Sequence, residues 1–345
     1  MRFLSDKALT RLRDGAELPD LAGTRYRLLG QVARGGMGVV YAAQDETLQR
    51  RVALKVLEVP GEESDLANRL IREARVLALL EHPGIVPVHD VGTLADGRVF
   101  YTMKFVEGRR LDQYIASVAS VPDRLRVFLR ICDAVAFAHD RAVLHRDLKP
   151  TNVMVGPFGE VLVMDWGLAK ILAREDNSAV ADDGEAEATF LQTETAPAPG
   201  DSPTRISAIT GHGTIMGTPG YMSPEQARGE VQALDARSDI FSLGAMLRFL
   251  VTKDSGVSPA AVTRPDRSLE AICSKATSSD PAQRYQTVQQ LALDLSRYLD
   301  GLAVAAHRES LLEKSLRFYR RYRFFILLIL AYLVMRMLLL IFLKR

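Results

Sequence analysis

The stretch that decides the fold reads LHRDLKPTNV at residues 144–153, and it is followed after a short apolar run by MDWG at residues 164–167. Carboxylate, lysine and amide side chains recur there at fixed spacing between two hydrophobic segments. Such side chains are rarely buried in an apolar core, so packing alone does not explain them. Asp147 is suited to orient a hydroxyl group and accept its proton, and Lys149 supplies a cation for a phosphoryl group in transfer. The stretch therefore predicts a centre for phosphoryl transfer.

Two oxygen-bearing side chains of the same stretch predict a metal site. Asn152 and Asp165 offer the hard oxygen ligands that Mg2+ prefers. No cluster of histidine and cysteine residues in the sequence competes for a metal ion. We therefore expect Mg2+ at Asn152 and Asp165, with Mn2+ as the alternative cation.

A glycine-rich turn lies upstream, where residues 33–41 read ARGGMGVVY between two predicted strands. Such a turn by itself is a weak signal, because it also closes ordinary hairpins. Gly35 and Gly38 would let backbone amides approach a triphosphate with no Cβ in the way, and Val40 would cover a flat base. A nucleoside triphosphate such as ATP is therefore the expected ligand.

A lone lysine, Lys55, follows in the apolar segment VALK at residues 52–55. A lysine in such a strand either extends its ammonium group to water or meets an anion. Glu73, on a helix predicted at residues 65–80, is the expected anion. Taken alone, these two residues also fit a solvated surface ion pair.

Hydrophobic periodicity predicts a β-rich lobe followed by an α-rich lobe. The predicted strands cover residues 26–33, 38–43, 51–57, 85–91 and 98–105, and the predicted helices cover 65–80, 111–141 and 239–250, with two or three more in 269–301.

From about residue 26 to about residue 301, the chain resembles a bacterial eukaryotic-type serine/threonine protein kinase of the Hanks type. The positions that carry the resemblance are Gly35, Gly38, Val40, Lys55, Glu73, His145, Arg146, Asp147, Lys149, Asn152, Asp165, Trp166, Gly167, residues 217–225, Asp239 and Arg284. So many matches at family spacing make a chance likeness negligible.

The resemblance implies an α+β fold, the bilobal protein kinase fold, with a small β-rich N-lobe and a larger α-helical C-lobe. It implies transfer of the γ-phosphoryl group of ATP to serine or threonine hydroxyls of proteins, since Lys149 and Thr218 are similar to the serine/threonine-specific pattern. The implied catalytic residues are Asp147, Lys149, Lys55 and Glu73; the metal ligands are Asn152 and Asp165; and the nucleotide-binding residues are Val32, Gly35, Gly36, Gly38, Val40, Ala53, Lys55, Met103 and Val106.

Two structural roles also follow from the resemblance. Glu225 would form an ion pair with Arg284, and Asp239 would brace the catalytic loop. Three positions depart from the family pattern by substitutions that the fold should tolerate: Ala33, Trp166 and Ser223. The segment between Leu250 and Leu269 is shorter than the family pattern, so peptide selectivity is not carried over.

The activation segment, residues 168–223, is expanded by an insertion at about 174–211 that is poor in bulky apolar residues. We expect autophosphorylation at Thr210 or Thr214, with Arg146 as the cation that meets the phosphate. The alternative is a disordered insertion without a regulatory role.

The predicted domains are an N-terminal extension at 1–25, the kinase domain at 26–301, a basic juxtamembrane segment at 302–323 and a transmembrane helix at 324–343. Fifteen of the 20 residues at 324–343 are Leu, Ile, Phe or Val, each worth roughly 0.3–0.6 kcal/mol on insertion against ~3 kcal/mol for Arg336. A buried core helix is the weaker alternative. The arginines before the span predict a cell-membrane protein, single-pass, with the kinase domain in the cytoplasm and the C-terminus across the bilayer.

The expected partners are protein substrates, the lipid bilayer and a second copy of the chain for trans-autophosphorylation. Because the basic surplus lies in the C-terminal tail, nucleic acid is not expected as a partner. Two other functions compete with the kinase prediction: a membrane-tethered pseudokinase scaffold and a small-molecule phosphotransferase of the same fold. The first would lack at least one of Lys55, Asp147, Asn152 and Asp165, and all four are present.

Overall fold

A five-stranded antiparallel sheet forms the first lobe of the computed structural model, in the spatial order β1-β2-β3-β5-β4. Its strands are β1 (Tyr26–Gly35), β2 (Gly38–Asp45), β3 (Arg50–Val56), β4 (Val88–Thr93) and β5 (Val99–Lys104). The structure describes residues 18–35, 38–58, 65–118, 120–166, 170–171, 220–230, 234–252, 266–307 and 311–343. The predicted β-rich N-lobe is confirmed.

The two faces of this sheet have different roles. Strand alternation places Val52, Leu54 and Val56 on one face, in a small apolar cluster of their own. Ala53 and Lys55 point to the other face. There helix α1 (Asp65–Leu79) packs against β4 and β5, and the second face therefore becomes the roof of the cleft between the lobes.

The second lobe is helical, as predicted. Its helices are α2 (Leu111–Tyr114), α3 (Val121–Asp140), α4 (Pro224–Ala227), α5 (Ala236–Thr252), α6 (Arg267–Ala276) and α7 (Val288–Leu299), and α8 (Leu311–Leu343) follows. Helix α5 packs against α3 and α6 and buries most of its length, because its apolar residues occupy nearly every side of the helix. It forms the centre on which the rest of the lobe is assembled.

The segment with helical period at residues 111–141 is helical, but it does not form one unbroken helix. The chain forms α2, a 3-10 turn at Ile115–Ser117 and then α3. Ser120 ends the connection, since its hydroxyl accepts a hydrogen bond from the amide of Asp123, and Pro122 sits in the first turn, where no amide hydrogen is needed. Local capping chemistry therefore overrides the apolar periodicity.

Two further predictions need correction. Ile85 does not begin β4; it forms an isolated parallel bridge to Val163, and the strand begins at Val88, after Pro87. On α1, apolar periodicity favours Leu66, Leu70 and Ala74 on one face, but Leu66 is exposed and Ala67 is buried in its place. The activation-segment insertion predicted at about 174–211 lies outside the described residues, as do residues 253–265 of the shortened region.

Short strands position the floor of the cleft. β8 (Val153–Val155) pairs with β9 (Val161–Val163) as a hairpin and with β6 (Arg109–Arg110) on its other side. β7 (Val143–Leu144) pairs with β10 (Lys170–Ile171). The hairpin brings the residues just before β8 and just after β9 to the same end.

Helix α8 carries many exposed apolar side chains between Phe324 and Met337. Of the helices in the described ranges, none has both the length and the apolarity that crossing a bilayer requires.

Candidate active site

Lys55 and Glu73 form an ion pair on the roof of the cleft. The lysine Nζ lies 2.8 Å from both carboxylate oxygens of Glu73. Lys55 stands in the middle of the sheet, opposite Val40 of β2 and Tyr101 of β5, and Glu73 stands on the face of α1 that packs on the sheet. Both side chains are largely buried, at 12% and 1% exposure, so the solvated surface pair is excluded.

A third residue joins this pair, and sequence reasoning missed it. The hydroxyl of Tyr101 donates a hydrogen bond of 2.9 Å to Oε1 of Glu73, and Lys55 Nζ lies 5.7 Å from the centre of its ring. Burial, and then the negative charge of Glu73, raise the pKa of Tyr101 well above its ordinary value, so the hydroxyl keeps its proton. Only the β3–β5 register, which pairs Lys55 with Tyr101, could have indicated this contact.

Asp147 and its neighbours form the floor of the cleft. Lys149 Nζ lies 2.6 Å from Oδ2 of Asp147. The Asn152 amide donates to the Asp147 backbone carbonyl at 2.9 Å and to Oδ2 at 3.2 Å. The Asp147 carboxylate is therefore held in one orientation by a cation and an amide from its own loop.

Asp165 lies where the floor meets the roof. The Met164 amide donates to the Asn152 carbonyl at 2.8 Å, which extends the β8–β9 pairing and sets Asn152 beside Asp165. The Asp165 side chain is 53% exposed, and its Oδ1 is 3.9 Å from Lys55 Nζ. Its φ of 62° is an unusual conformation for a non-glycine residue and turns the carboxylate away from the core.

These two residues fit a magnesium ion by the chemistry of their donors. Because the Asn152 nitrogen is engaged with Asp147, the amide oxygen is left for a metal, and the Asp165 carboxylate is open to the cleft. Magnesium commonly takes one or two protein oxygens and completes its shell with phosphate and water. Among the described residues there is no group of three or more His, Cys, Asp or Glu that would form a site made wholly of protein ligands.

Trp166 anchors the Asp165 turn. Its ring is buried, 4.6 Å from the ring of His145, and its Nε1 donates to the Val163 carbonyl at 3.4 Å. His145 Nε2 in turn lies 3.0 Å from the carbonyl oxygen of Met164. The large ring therefore ties the end of β9 to the catalytic loop.

Asp239 braces that loop from below. It accepts hydrogen bonds from the amides of His145 at 2.9 Å and Arg146 at 2.8 Å, and it lies 2.8 Å from Nε2 of His139. Burial alone would raise the pKa of Asp239, but the hydrogen bond and charge of His139 outweigh it and the pKa is lowered. Arg146 has a φ of 70°, so these bonds hold a strained turn directly before Asp147.

The ion pair between Glu225 and Arg284 lies farther down in the C-lobe. The guanidinium binds both carboxylate oxygens, at 2.7 and 2.8 Å, and Ser238 donates to the same carboxylate at 2.9 Å. Burial acts to raise the pKa of Glu225, but the hydrogen bonds, above all from Arg284, lower it to about 2. Next to it, Gln226 donates to the Arg146 carbonyl at 2.8 Å, which connects this pair to the catalytic loop.

Several of the residues expected to bind a nucleotide lie on or beside the N-lobe sheet. Ala53 and Met103 are buried and directly opposite each other, and Val40 pairs with Lys55. Val106 and Val40 are partly buried against the main core, whereas Val32 is exposed beside an irregularity in β1. Gly35 pairs with Gly38 at the hairpin end, and Gly36 lies outside the described residues.

Gly38 meets a steric requirement of the sheet itself. A Cβ at this position would collide with the carbonyl oxygen of Val56 in β3. The glycine therefore allows the start of β2 to lie close against the end of β3, independently of any ligand.

Comparison with known proteins agrees with this geometry. The protein kinase domain model matches residues 26–300. The chain is similar to the serine/threonine-protein kinase PknD of Protochlamydia amoebophila, at 33% identity over 80% of this chain and 30% of the relative. It is also similar to PknD of Chlamydia trachomatis serovar D, at 36% identity over 80% of this chain and 32% of the relative. The chain thus spans about a third of the length of these curated relatives.

Among solved structures, the kinase domain of PknI from Mycobacterium tuberculosis superposes with a TM-score of 0.52 at 25% identity, over 79% of this chain and 95% of that domain. The bilobal fold is therefore shared with that domain. Taken with the family match over most of its length, this places the chain in the protein kinase family.

Proposed function

We propose that this protein is a serine/threonine protein kinase, which transfers the γ-phosphoryl group of ATP to serine and threonine hydroxyls of proteins. One observation carries the proposal: groups from both lobes meet at one cleft, with Lys55 3.9 Å from Asp165 and Asp147 bound by Lys149 and Asn152. Phosphoryl transfer has a loose transition state, so positioning and charge neutralisation do most of the catalytic work.

Each lobe contributes a different part. On the roof, Lys55 binds the nucleotide phosphates and Glu73 holds its ammonium group in place. On the floor, Asn152 and Asp165 hold Mg2+, which when bound supplies positive charge to the phosphate oxygens. The exposed carboxylate of Asp165 and the buried amide of Asn152 suit these positions.

Asp147 binds the acceptor hydroxyl. Its carboxylate orients the hydroxyl and takes its proton, while Lys149, 2.6 Å from Oδ2, neutralises charge that develops on the phosphoryl group. Serine or threonine is the proposed acceptor for two reasons. Lys149 and Thr218 match the sequence pattern of serine/threonine-specific kinases, and the curated relatives are named serine/threonine-protein kinases.

The test is a phosphotransfer assay with γ-labelled ATP, magnesium and a casein-like acceptor, followed by phosphoamino-acid analysis. We expect label on phosphoserine and phosphothreonine. No transfer to any protein, with nucleotide binding retained, would favour the pseudokinase scaffold. Label found only on small molecules would favour the small-molecule phosphotransferase.

Autophosphorylation in the activation segment is the second part of the proposal. The motivating observation is Arg146, a cation beside Asp147 whose backbone is fixed by Asp239 and Gln226. A phosphate on Thr210 or Thr214 would pair with this guanidinium. Phosphopeptide mapping of wild type against Asp165→Ala should find these sites only in the wild type; equal phosphorylation in both proteins would sink this part.

Membrane attachment is the third part. The support is the row of exposed apolar side chains on α8, among them Phe324, Leu327, Leu330 and Leu333, preceded in sequence by a cluster of arginines. Attachment would concentrate copies of the chain and favour trans-autophosphorylation in a homodimer, with the kinase domain on the cytoplasmic side. Fractionation of the chain against a version ending at Glu313 tests this, and equal recovery in the soluble fraction would refute it.

A further inference from the structure

We infer that Tyr101 is a positioning residue for phosphoryl transfer: its hydroxyl fixes Glu73, and through Glu73 it fixes helix α1 and Lys55 in the arrangement that catalysis needs. The inference rests on the proposed function for its consequence in activity. Its structural half, that one hydroxyl holds α1 on the sheet, stands independently of any activity.

The geometry gives Glu73 three hydrogen bonds from two different strands. Lys55 Nζ on β3 lies 2.8 Å from both oxygens, and the Tyr101 hydroxyl on β5 lies 2.9 Å from Oε1. As whole residues, Glu73 and Tyr101 are only 3% and 1% exposed, so bulk solvent is excluded from this hydrogen bond. A buried carboxylate binds strongly to each donor that it has, because the competing solvent is excluded.

The two donors differ in how rigidly they are held. Lys55 is a long side chain that must also serve the nucleotide phosphates, so its bond to Glu73 is shared with the ligand. Tyr101 has a rigid ring on a strand that lies between β3 and β4, with its body inside the main core. The tyrosine is therefore the donor that can hold Glu73 at a fixed place while the lysine interacts with the nucleotide.

The position of α1 depends on this contact. The helix packs on β4 and β5 mainly through small or aliphatic side chains such as Ala67, Leu70 and Ala74. Such contacts are non-directional and tolerate rotation or sliding of the helix. A hydrogen bond from β5 to Glu73 is directional and selects one rotation, the one in which Lys55 is paired.

The test uses Tyr101→Phe, which removes the hydroxyl and keeps the ring. Tyr26→Phe is the matched control, because Tyr26 is also a buried tyrosine of this sheet and also donates to a carboxylate, that of Asp90 at 2.9 Å, away from Lys55. The first measurement is hydrogen–deuterium exchange of the α1 peptide, Asp65–Leu79, without nucleotide. We expect faster exchange there in Tyr101→Phe and wild-type exchange in Tyr26→Phe.

The second measurement is steady-state phosphotransfer. Tyr101→Phe should lower kcat/KM by about tenfold, the size expected for one hydrogen bond to a charged group, while Tyr26→Phe stays near wild type. In a Glu73→Gln background, the added Tyr101→Phe change should lower kcat/KM by a much smaller factor, because the carboxylate through which the tyrosine acts is absent. An equal cost in both backgrounds would mean that Tyr101 does not act through Glu73.

The failure of this inference is distinct from failure of the proposed function. A wild-type protein without phosphotransfer would end the proposed function, and the exchange measurement would still decide whether Tyr101 holds α1. Wild-type exchange and wild-type kcat/KM in Tyr101→Phe would overturn the inference and leave the proposed kinase activity intact.

Discussion

At the scale of single residues, three buried carboxylates organise the cleft and its support: Glu73, Glu225 and Asp239. Each receives at least two hydrogen bonds from partners distant in sequence. A buried charge is tolerated only when it is paired and hydrogen-bonded. Burying any of these carboxylates without its partners would cost free energy of folding. Each therefore favours the fold in which distant segments supply its hydrogen bonds.

Glu225 gives a prediction about acid stability. Its pKa is lowered from the ordinary value to about 2 in the folded protein. A group with a lowered folded pKa contributes stability above its unfolded pKa, near 4.5, and loses this contribution as the pH falls toward about 2. We expect Glu225→Gln to cost roughly 3–5 kcal/mol at neutral pH, because Arg284 stays buried without its anion.

The measurement is urea unfolding at several pH values. The difference between wild type and Glu225→Gln should shrink by roughly 3 kcal/mol as the pH falls from above 5 to about 2. Glu230→Gln is the control, since Glu230 pairs with Arg228 at the surface and should change stability little. A difference between wild type and Glu225→Gln that does not vary with pH would contradict the lowered pKa.

Residue patterns predicted much of the candidate site and missed one member. Lys55, Asp147 and Asn152 stand in short motifs whose spacing indicates their chemistry. Tyr101 stands in an apolar strand with no such mark, and its contact with Glu73 depends on strand register and on where α1 lies. Local sequence therefore identifies functional residues that stand in motifs. Tyr101 lies 28 positions from Glu73, and their contact can be inferred only from the packing of α1 on the sheet.

At the scale of elements, the close approach of α5 and α6 limits side-chain size. A Cβ added to Gly244 would lie 2.6 Å from the Ala276 Cβ and 2.9 Å from a methyl carbon of Thr277. In an open helix, Gly→Ala gains about 1 kcal/mol in helix propensity. Here the overpacking cost of about 1–3 kcal/mol should exceed that gain.

Thermal unfolding of Gly244→Ala should therefore show a lowered Tm. Arg248→Ala on the exposed side of α5 is the control, and it loses only a surface ion pair of 3.5 Å with Glu270. A raised Tm in Gly244→Ala would show that α5 and α6 separate at little cost.

Element boundaries were the less predictable part of the fold. Periodicity located the sheet strands and the long helices, because those patterns extend over several turns or pleats. The start of α3 and the late start of β4 depend on single residues, Ser120 and Pro87. Such residues change the backbone locally without altering the surrounding hydrophobic pattern.

At the scale of the whole molecule, the account requires that the two lobes act on one nucleotide. Lys55 comes from the N-lobe and Asp147 from the C-lobe, and Asp165 lies between them. The general plan of two lobes followed from the order of strands and helices in the sequence. How the lobes meet did not, because it depends on contacts between segments far apart in sequence, such as Lys55 with Asp165 and Ile85 with Val163.

The most direct test of this account measures ATP binding and phosphotransfer on the same samples of wild type and Asp147→Asn. Binding can be followed by fluorescence of Trp166, the only tryptophan in the chain, which is buried beside Asp165. We predict unchanged ATP affinity in Asp147→Asn and phosphotransfer lowered by about 10²- to 10⁴-fold, the usual contribution of a general base. Phosphotransfer near the wild-type rate in Asp147→Asn would contradict the account.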